Sequence, residues 1–256
     1  MTTLDSRAEV LKLARLLGAD HERLSFLAKV DARELRRLRE RMTDVLFDAN
    51  LPMLRRMASA SKLLPGAVTA KIAERTYGPM LCARIAGVMD ADRAVDVANR
   101  LSLGFLADVA VELDPRRCSE IIARMPRARV LEVAAELVRR EDWITIGRFV
   151  GHLPDETVEA ALDVLHDEAL LHTAFVLDDK ARVGQVVELL PETRFDGLAA
   201  AAASHDLWVP TFDLLAHVGN GDRELLAGAL RRLDKASVAR AREKAAEMGV
   251  LHYLDS

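Results

Sequence analysis

The sequence predicts an all-α protein: a right-handed superhelix, or α-solenoid, of short stacked helices of about 12 residues each. Three observations lead there. An apolar residue returns every twelve positions, at Met89, Leu101, Leu113, Met125 and Leu137. Aromatic residues make up only 4% of the chain, and no β-branched run alternates with period two, so strands have little to form from. Proline, glycine and aspartate punctuate the chain at the spacing of short helix ends.

Behind each tooth of this comb, three and seven residues earlier, sits another apolar or small side chain. The first set is Ala86, Ala98, Ala110, Ile122 and Ala134; the second is Cys82, Ala94, Leu106, Cys118 and Val130. These three positions share one face of a helix, so each unit reads as one amphipathic helix. After Leu137 the comb slips by four residues and resumes at Leu153, Leu165 and Leu177. One further residue near Asp178-Asp179 moves the next tooth to Leu190. The four extra residues near 138–142 amount to about one added helical turn.

Taken in order, residues 4–17 form a first helix, ended by Gly18, which suits a left-handed C-terminal position. Residues 21–29 form a short second helix. Asp31 suits the N-cap of a longer one running to about Asn50. Pro65 and Gly78-Pro79 divide the next stretch into three short helices. In the comb, Asp90, Ser102 and Asp114 stand where N-caps are wanted, Pro115 reads as a first helical residue, and Pro126 marks the same kind of junction. Beyond Pro191 the register weakens: a small-residue helix over 198–204, a helix over 208–218, a turn at 219–222 and a helix over 223–233. A last helix, capped by Asp234 or Ser237, runs to about Met248. The expected organisation is a basic helical region over 1–78 packed on a short-helix repeat over 79–191. Capping helices follow over 192–256, with Arg242, Glu243 and Lys244 on a polar outer face, the whole reading as one continuous domain.

With 256 residues, 50% apolar and 30% charged, at a net charge of −4, the chain can bury a sizeable core, and overall charge points to no nucleic acid. The balance is uneven: residues 1–80 carry +5 and the remainder −9. Between Asn50 and Met89 the only acid is Glu74, against Arg55, Arg56, Lys62, Lys71, Arg75 and Arg84, beside an apolar edge of Leu51, Leu54, Met57 and Leu64. Packed helices with a solvated basic face account for such a stretch; so does a surface over residues 33–89 that binds an anionic membrane or another polyanion. Cys82 and Cys118 both read as small buried hydrophobes, with no disulfide framework and no four-ligand zinc site. The N-terminus lacks the order of a signal peptide, and no apolar run approaches the roughly 18–20 residues of a membrane span, so a cytoplasmic location is expected.

Catalytic signatures are absent from the sequence. Its seven histidines form no H-E-x-x-H and no His/Cys pair at ligand spacing. His166-Asp167, even with His152, His172 and Asp178 added, is a set any acidic helical chain offers. Asp178-Asp179-Lys180 falls at a helix junction, where carboxylates cap amides. No Gly-rich phosphate loop and no G-x-S-x-G occurs. No catalytic, cofactor-binding or metal residue is therefore assigned. The least repetitive stretch runs from Glu141 to His152, with Gly147 and Gly151 four apart, each costing roughly 1 kcal/mol against alanine in a helix. Close packing of Trp143 and Phe149 against neighbouring helices would offset that cost. Alternatively Trp143 and Arg148 form a recognition spot, since Trp and Arg dominate binding hot spots.

The segment Asp114-Pro-Arg-Arg-Cys-Ser-Glu-Ile-Ile-Ala-Arg-Met-Pro126, with Val130-Leu-Glu-Val-Ala-Ala-Glu-Leu137, resembles the cytoplasmic N-terminal domain of MgtE-type magnesium transporters. The likeness spans roughly residues 79–191. It implies a superhelix of short helices and a regulatory or docking role. In that family a paired regulatory module and a membrane domain follow, and neither is found in these 256 residues. The magnesium-sensing acids depend on that module, so none is carried over and transport is not implied. The expected function is that of a non-enzymatic helical-repeat protein that docks another protein, without a cofactor. Trp143, Arg148, Arg55, Arg56, Lys62 and Arg84 are its interaction candidates. Homo-oligomer formation is compatible with the same surfaces. An anionic-membrane binder, and an enzyme or small-ligand sensor with a site near 143–152, are the alternatives.

Overall fold

Helix ends follow the punctuation of the sequence along most of the chain. The computed structural model describes residues 4–254, of which none is in a strand. The first half runs α1 (Leu4–Leu17), a 3₁₀ stretch (His21–Lys29), α2 (Ala32–Asp48), α3 (Leu51–Ser61), α4 (Gly66–Ile72), a π-helical turn (Ala73–Tyr77), α5 (Gly78–Ala86), α6 (Ala91–Ala98), α7 (Leu103–Glu112) and α8 (Ser119–Arg124). It continues with α9 (Arg127–Arg139), α10 (Trp143–Val150), α11 (Asp155–Leu162), α12 (Asp167–Val176), α13 (Ala181–Val187), α14 (Thr193–Ser204), α15 (Trp208–His217), α16 (Asn220–Arg231), α17 (Lys235–Glu247) and a 3₁₀ turn (Leu251–Tyr253).

Several caps form as the sequence predicts. Gly18 adopts φ 59°, the left-handed conformation that only glycine takes at little cost. Asp90 accepts from the Arg93 amide at 3.2 Å, Asp31 from Arg33 at 2.9 Å, and Asp234 from both Ala236 and Ser237. Other ends differ. Asp114-Pro115 opens a turn rather than a helix, because the Asp114 carboxylate takes the Arg116 amide and guanidinium, and α8 starts only at Ser119. Ser102 occupies an N-cap position without capping; its own amide donates to Glu74. The expected turn at 219–222 is the first turn of α16. An added Cβ at Gly151 would meet nothing within 4 Å, so no neighbour approaches it closely, and it simply ends α10.

The chain divides into two compact units at places other than 78 and 191: a central unit of residues Arg37–Ala161, and a terminal unit joining Met1–Arg36 to Leu162–Ser256. In the central unit the helices from α3 to α9 pack on the next but one, α3 on α5, α4 on α6, α5 on α7, α6 on α8 and α7 on α9, and α9 then packs on α10. The comb explains this pairing. Its teeth Leu101, Leu113 and Leu137 are buried, Met89 and Met125 half-buried, and none is exposed. They join apolar clusters such as Ala83, Ala91, Ala94, Val109, Leu113, Cys118, Ile121 and Ile122. Each large aliphatic side chain so buried contributes roughly 1.5–3 kcal/mol. The slip after Leu137 is absorbed by α9, which at 13 residues outlasts its neighbours and carries Leu137 inside it. Burial pushes the thiols of Cys82 and Cys118 up to about 11 and about 12, so both stay protonated and unreactive at neutral pH.

The terminal unit is organised around α15. This helix touches α1, α12, α13, α14, α16 and α17. Trp208, Pro210, Thr211, Phe212, Asp213, Leu214 and Leu215 are all buried in it. A helix enclosed on every side carries polar side chains inward along with apolar ones. Asp213 is one of these, and it positions the polar cluster described below.

Candidate functional site

Two places carry functional potential, one in each unit. In the central unit, nine of the fourteen large exposed apolar residues among the described residues fall between Leu38 and Met80: Leu38, Val45, Leu46, Met53, Leu63, Leu64, Val68, Tyr77 and Met80. Leu38, Val45 and Leu46, with half-buried Met42, stand at helical spacing on one side of α2, while Phe47 faces the core. On α3, Leu54 and Ala58 point inward and leave Arg55 and Arg56 exposed. Lys62, Lys71 and Arg75 are exposed as well, whereas Arg84 in the last turn of α5 is half-buried. Leu63, beside Lys62, is 86% exposed. Isolated exposed leucines need no explanation, but this density over a stretch poor in acids does.

Trp143 and Arg148 both lie on α10 and both are half-buried. Five residues apart, they project about 140° from each other around the helix, so they do not form one spot. The Arg148 guanidinium turns to the end of α7, donating to the carbonyls of Leu113 at 2.8 Å and Val111 at 3.4 Å. These are among the carbonyls a helix leaves unsatisfied at its C-terminus. The same device recurs. Arg93 donates to Leu64, Arg129 to Leu101 and Arg194 to Leu165, each a carbonyl 28 or 29 residues earlier. Three of the accepting residues, Leu101, Leu113 and Leu165, are teeth of the comb. The signal in the sequence is an arginine on the third helix after a tooth, which the apolar pattern alone does not reveal.

The second place is a set of buried charges in the terminal unit. On α1, Glu9 and Lys12 are 2% and 3% exposed and pair at 2.5 Å. Lys12 also reaches Asp178 at 2.7 Å, and Arg36 donates to Glu9 at 3.1 Å. In the Asp178-Asp179 pair, Asp179 caps its helix, accepting from the Ala181 amide, while Asp178 pairs with Lys12. Lys180 donates to the Ala174 and Phe175 carbonyls and to Asp213 Oδ2 at 2.5 Å, which uses all three of its protons.

Asp213 Oδ1, on the other side of the same carboxylate, is buried without a hydrogen-bond partner, and so is Asp5 Oδ1 from α1. Between them lies His217, one turn after Asp213, with Nδ1 at 3.8 Å from Asp213 Oδ1 and Nε2 at 3.8 Å from Asp5 Oδ1. One donor atom from each of the three residues lies within 4.8 Å of the other two. Burial pushes the Asp213 carboxyl above its usual range, Lys180 and His217 pull it back, and the charge of Asp5 raises it further. Asp5 and Asp213 stand more than 200 positions apart in the sequence, which is why motif spacing could not find them. His166 and His172 take no part: His166 Nδ1 caps the Ala169 amide at 3.2 Å, and His172 faces Glu168.

The fold and these two places define an all-α protein. No family model, curated protein or solved structure matches the chain. No described helix is long and apolar enough to cross a membrane.

Proposed function

We propose that this chain is a non-enzymatic, cytoplasmic docking module of helical-repeat type, a right-handed superhelix whose basic and apolar surface over residues 38–80 binds an acidic, amphipathic segment of another protein. The resemblance of residues 79–191 to the MgtE N-terminal domain fits the same reading of scaffold and dock. The observation that carries it is the exposure of nine large apolar side chains beside Arg55, Arg56, Lys62, Lys71 and Arg75. Apolar area supplies affinity, and the net basic field of α3 and α4 steers an oppositely charged partner and sets register. Charge complementarity therefore favours an acidic segment whose own apolar face meets Leu46, Met53 and Leu63.

The test compares the full chain with a triple variant, Arg55→Glu/Arg56→Glu/Lys62→Glu, in quantitative affinity capture from native lysate. Circular dichroism verifies that both are folded. A defined set of acidic proteins, retained by the wild type, lost by the variant and weakened by salt, is the expected result. Identical sets on both proteins would remove the proposal. The projection of Leu63 beside Lys62 also favours a second reading, an anionic membrane surface. Flotation with phosphatidylserine vesicles distinguishes the two: charge-dependent flotation without a captured protein set selects the membrane.

A further inference from the structure

We propose that Asp5, Asp213 and His217 form a site for one divalent transition-metal ion of the class that takes mixed nitrogen and oxygen donors, such as Zn²⁺, Co²⁺ or Mn²⁺. Two independent features point to a cation here. Asp213 is 1% exposed, and its Oδ1 faces the cluster with no hydrogen-bond partner, as does the buried Oδ1 of Asp5. Two inward-facing carboxylate oxygens left this way carry unmet acceptor capacity, which a cation or its bound water would fill. The second feature is the histidine tautomer. His217 Nδ1 lies 2.8 Å from the Asp213 backbone carbonyl, an acceptor only, so Nδ1 is the protonated nitrogen. That leaves the Nε2 lone pair directed toward Asp5. A ring nitrogen freed by a backbone hydrogen bond on its twin is the arrangement of metal-bound histidines.

The separation of His217 from Asp5 agrees with this. Nε2 and Asp5 Oδ1 are 3.8 Å apart. An ion at roughly 2.0–2.2 Å from both would subtend about 120–145° between them. Asp213 Oδ2 is held by Lys180, which fixes the carboxylate so that only Oδ1 faces the cluster. Asp5 and His217 are partly open to solvent, with side chains 43% and 23% exposed, which provides a route of entry and room for water ligands. The donors contain no sulfur, so soft ions such as Cu⁺ are disfavoured. Joining α1 to α15, a bound ion would lock the N-terminal helix onto the buried hub of its unit.

Full-length protein stripped with chelator and titrated calorimetrically with Zn²⁺, Co²⁺ and Mn²⁺ in turn tests this. One ion per chain is expected for at least one of them, together with an upward shift of the thermal midpoint. With Co²⁺, visible absorption bands of low coordination number should appear. His217→Ala and Asp5→Asn, both at partly exposed positions, should each weaken binding at least tenfold, by analogy with the loss of supporting groups at metal sites. His205→Ala, a histidine facing Glu168 elsewhere in the unit, should leave it unchanged. Absence of saturable binding for all three ions overturns the proposal. Binding that survives both His217→Ala and Asp5→Asn overturns it equally.

Discussion

The core of the central unit between Ala83 and Ile122 is built from Ala, Val, Leu, Ile and one Cys, whereas the terminal unit encloses Glu9, Lys12 and Asp213 within a few per cent of full burial. The central unit meets much of its polar need at helix ends, where Arg93, Arg129 and Arg148 donate to carbonyls and the buried Asp142 accepts from the Thr145 amide. The terminal unit takes ionic side chains inside and matches them to one another. Apolar burial is non-directional and repeats easily, so it yields a regular stack. Buried ions are stable only in specific pairs, so they fix which distant segments meet. The function proposed for the first unit lies on its surface; that proposed for the second lies within.

Four substitutions sharpen that contrast, in falling order of effect. Lys12→Ala removes the ammonium that faces Glu9 and Asp178, and should cost about 4 kcal/mol, the scale of breaking a buried ion pair, read from urea unfolding. Leu113→Ala, in the central core, should cost about 3 kcal/mol through lost transfer energy and a residual cavity. If the two effects came out reversed, the distinction between an ionic and an apolar core would be misdrawn. Arg148→Ala strips donors from the end of α7 and should cost about 1.5 kcal/mol, with faster amide exchange near Leu113 as the local signature. The smallest effect belongs to Glu136, whose carboxyl is held down to about 2 by hydrogen bonds from Arg139 and Arg140. A depressed folded pKa gives stability that is present above the ordinary carboxylate range and lost as pH falls toward 2. Glu136→Gln should therefore lower the midpoint slightly at pH 7, leave it unchanged near pH 2 where the wild-type carboxyl is also neutral, and flatten the acid limb of the stability curve.

Local pattern in the sequence located helices in both units but not the buried ionic contacts of the terminal one. The comb located α5 to α13, its slip became the long α9, and the caps at Asp31, Asp90 and Asp234 were legible from residue type alone. Periodicity reports which face of a helix is buried, not what buries it. On α12 the buried residues Ala169, Leu171, Thr173, Phe175 and Val176 lie on several sides, so no face stands out. The packing of α1 on α15 joins segments about 200 residues apart, and nothing near Asp5 announces His217. The Asp114-Pro115 turn escaped because two arginines compete for the carboxylate that was expected to cap a helix. Of the six interaction residues read from sequence, Arg55, Arg56 and Lys62 are exposed on the candidate surface. Arg84 and Trp143 are half-buried, and Arg148 is engaged with backbone carbonyls. Charge runs predict exposure reliably, since desolvating them is costly. A lone arginine in an apolar repeat is as readily a carbonyl cap.

The surface over residues 38–80 is tested most directly by hydrogen exchange on the full chain, alone and in complex with the partner captured by the wild type. Slowed exchange confined to peptides of α2, α3, α4 and the start of α5, with α9 and α10 unchanged, is the expected result. A footprint over residues 143–152, or along α12 to α16 with 38–80 unaffected, would contradict it.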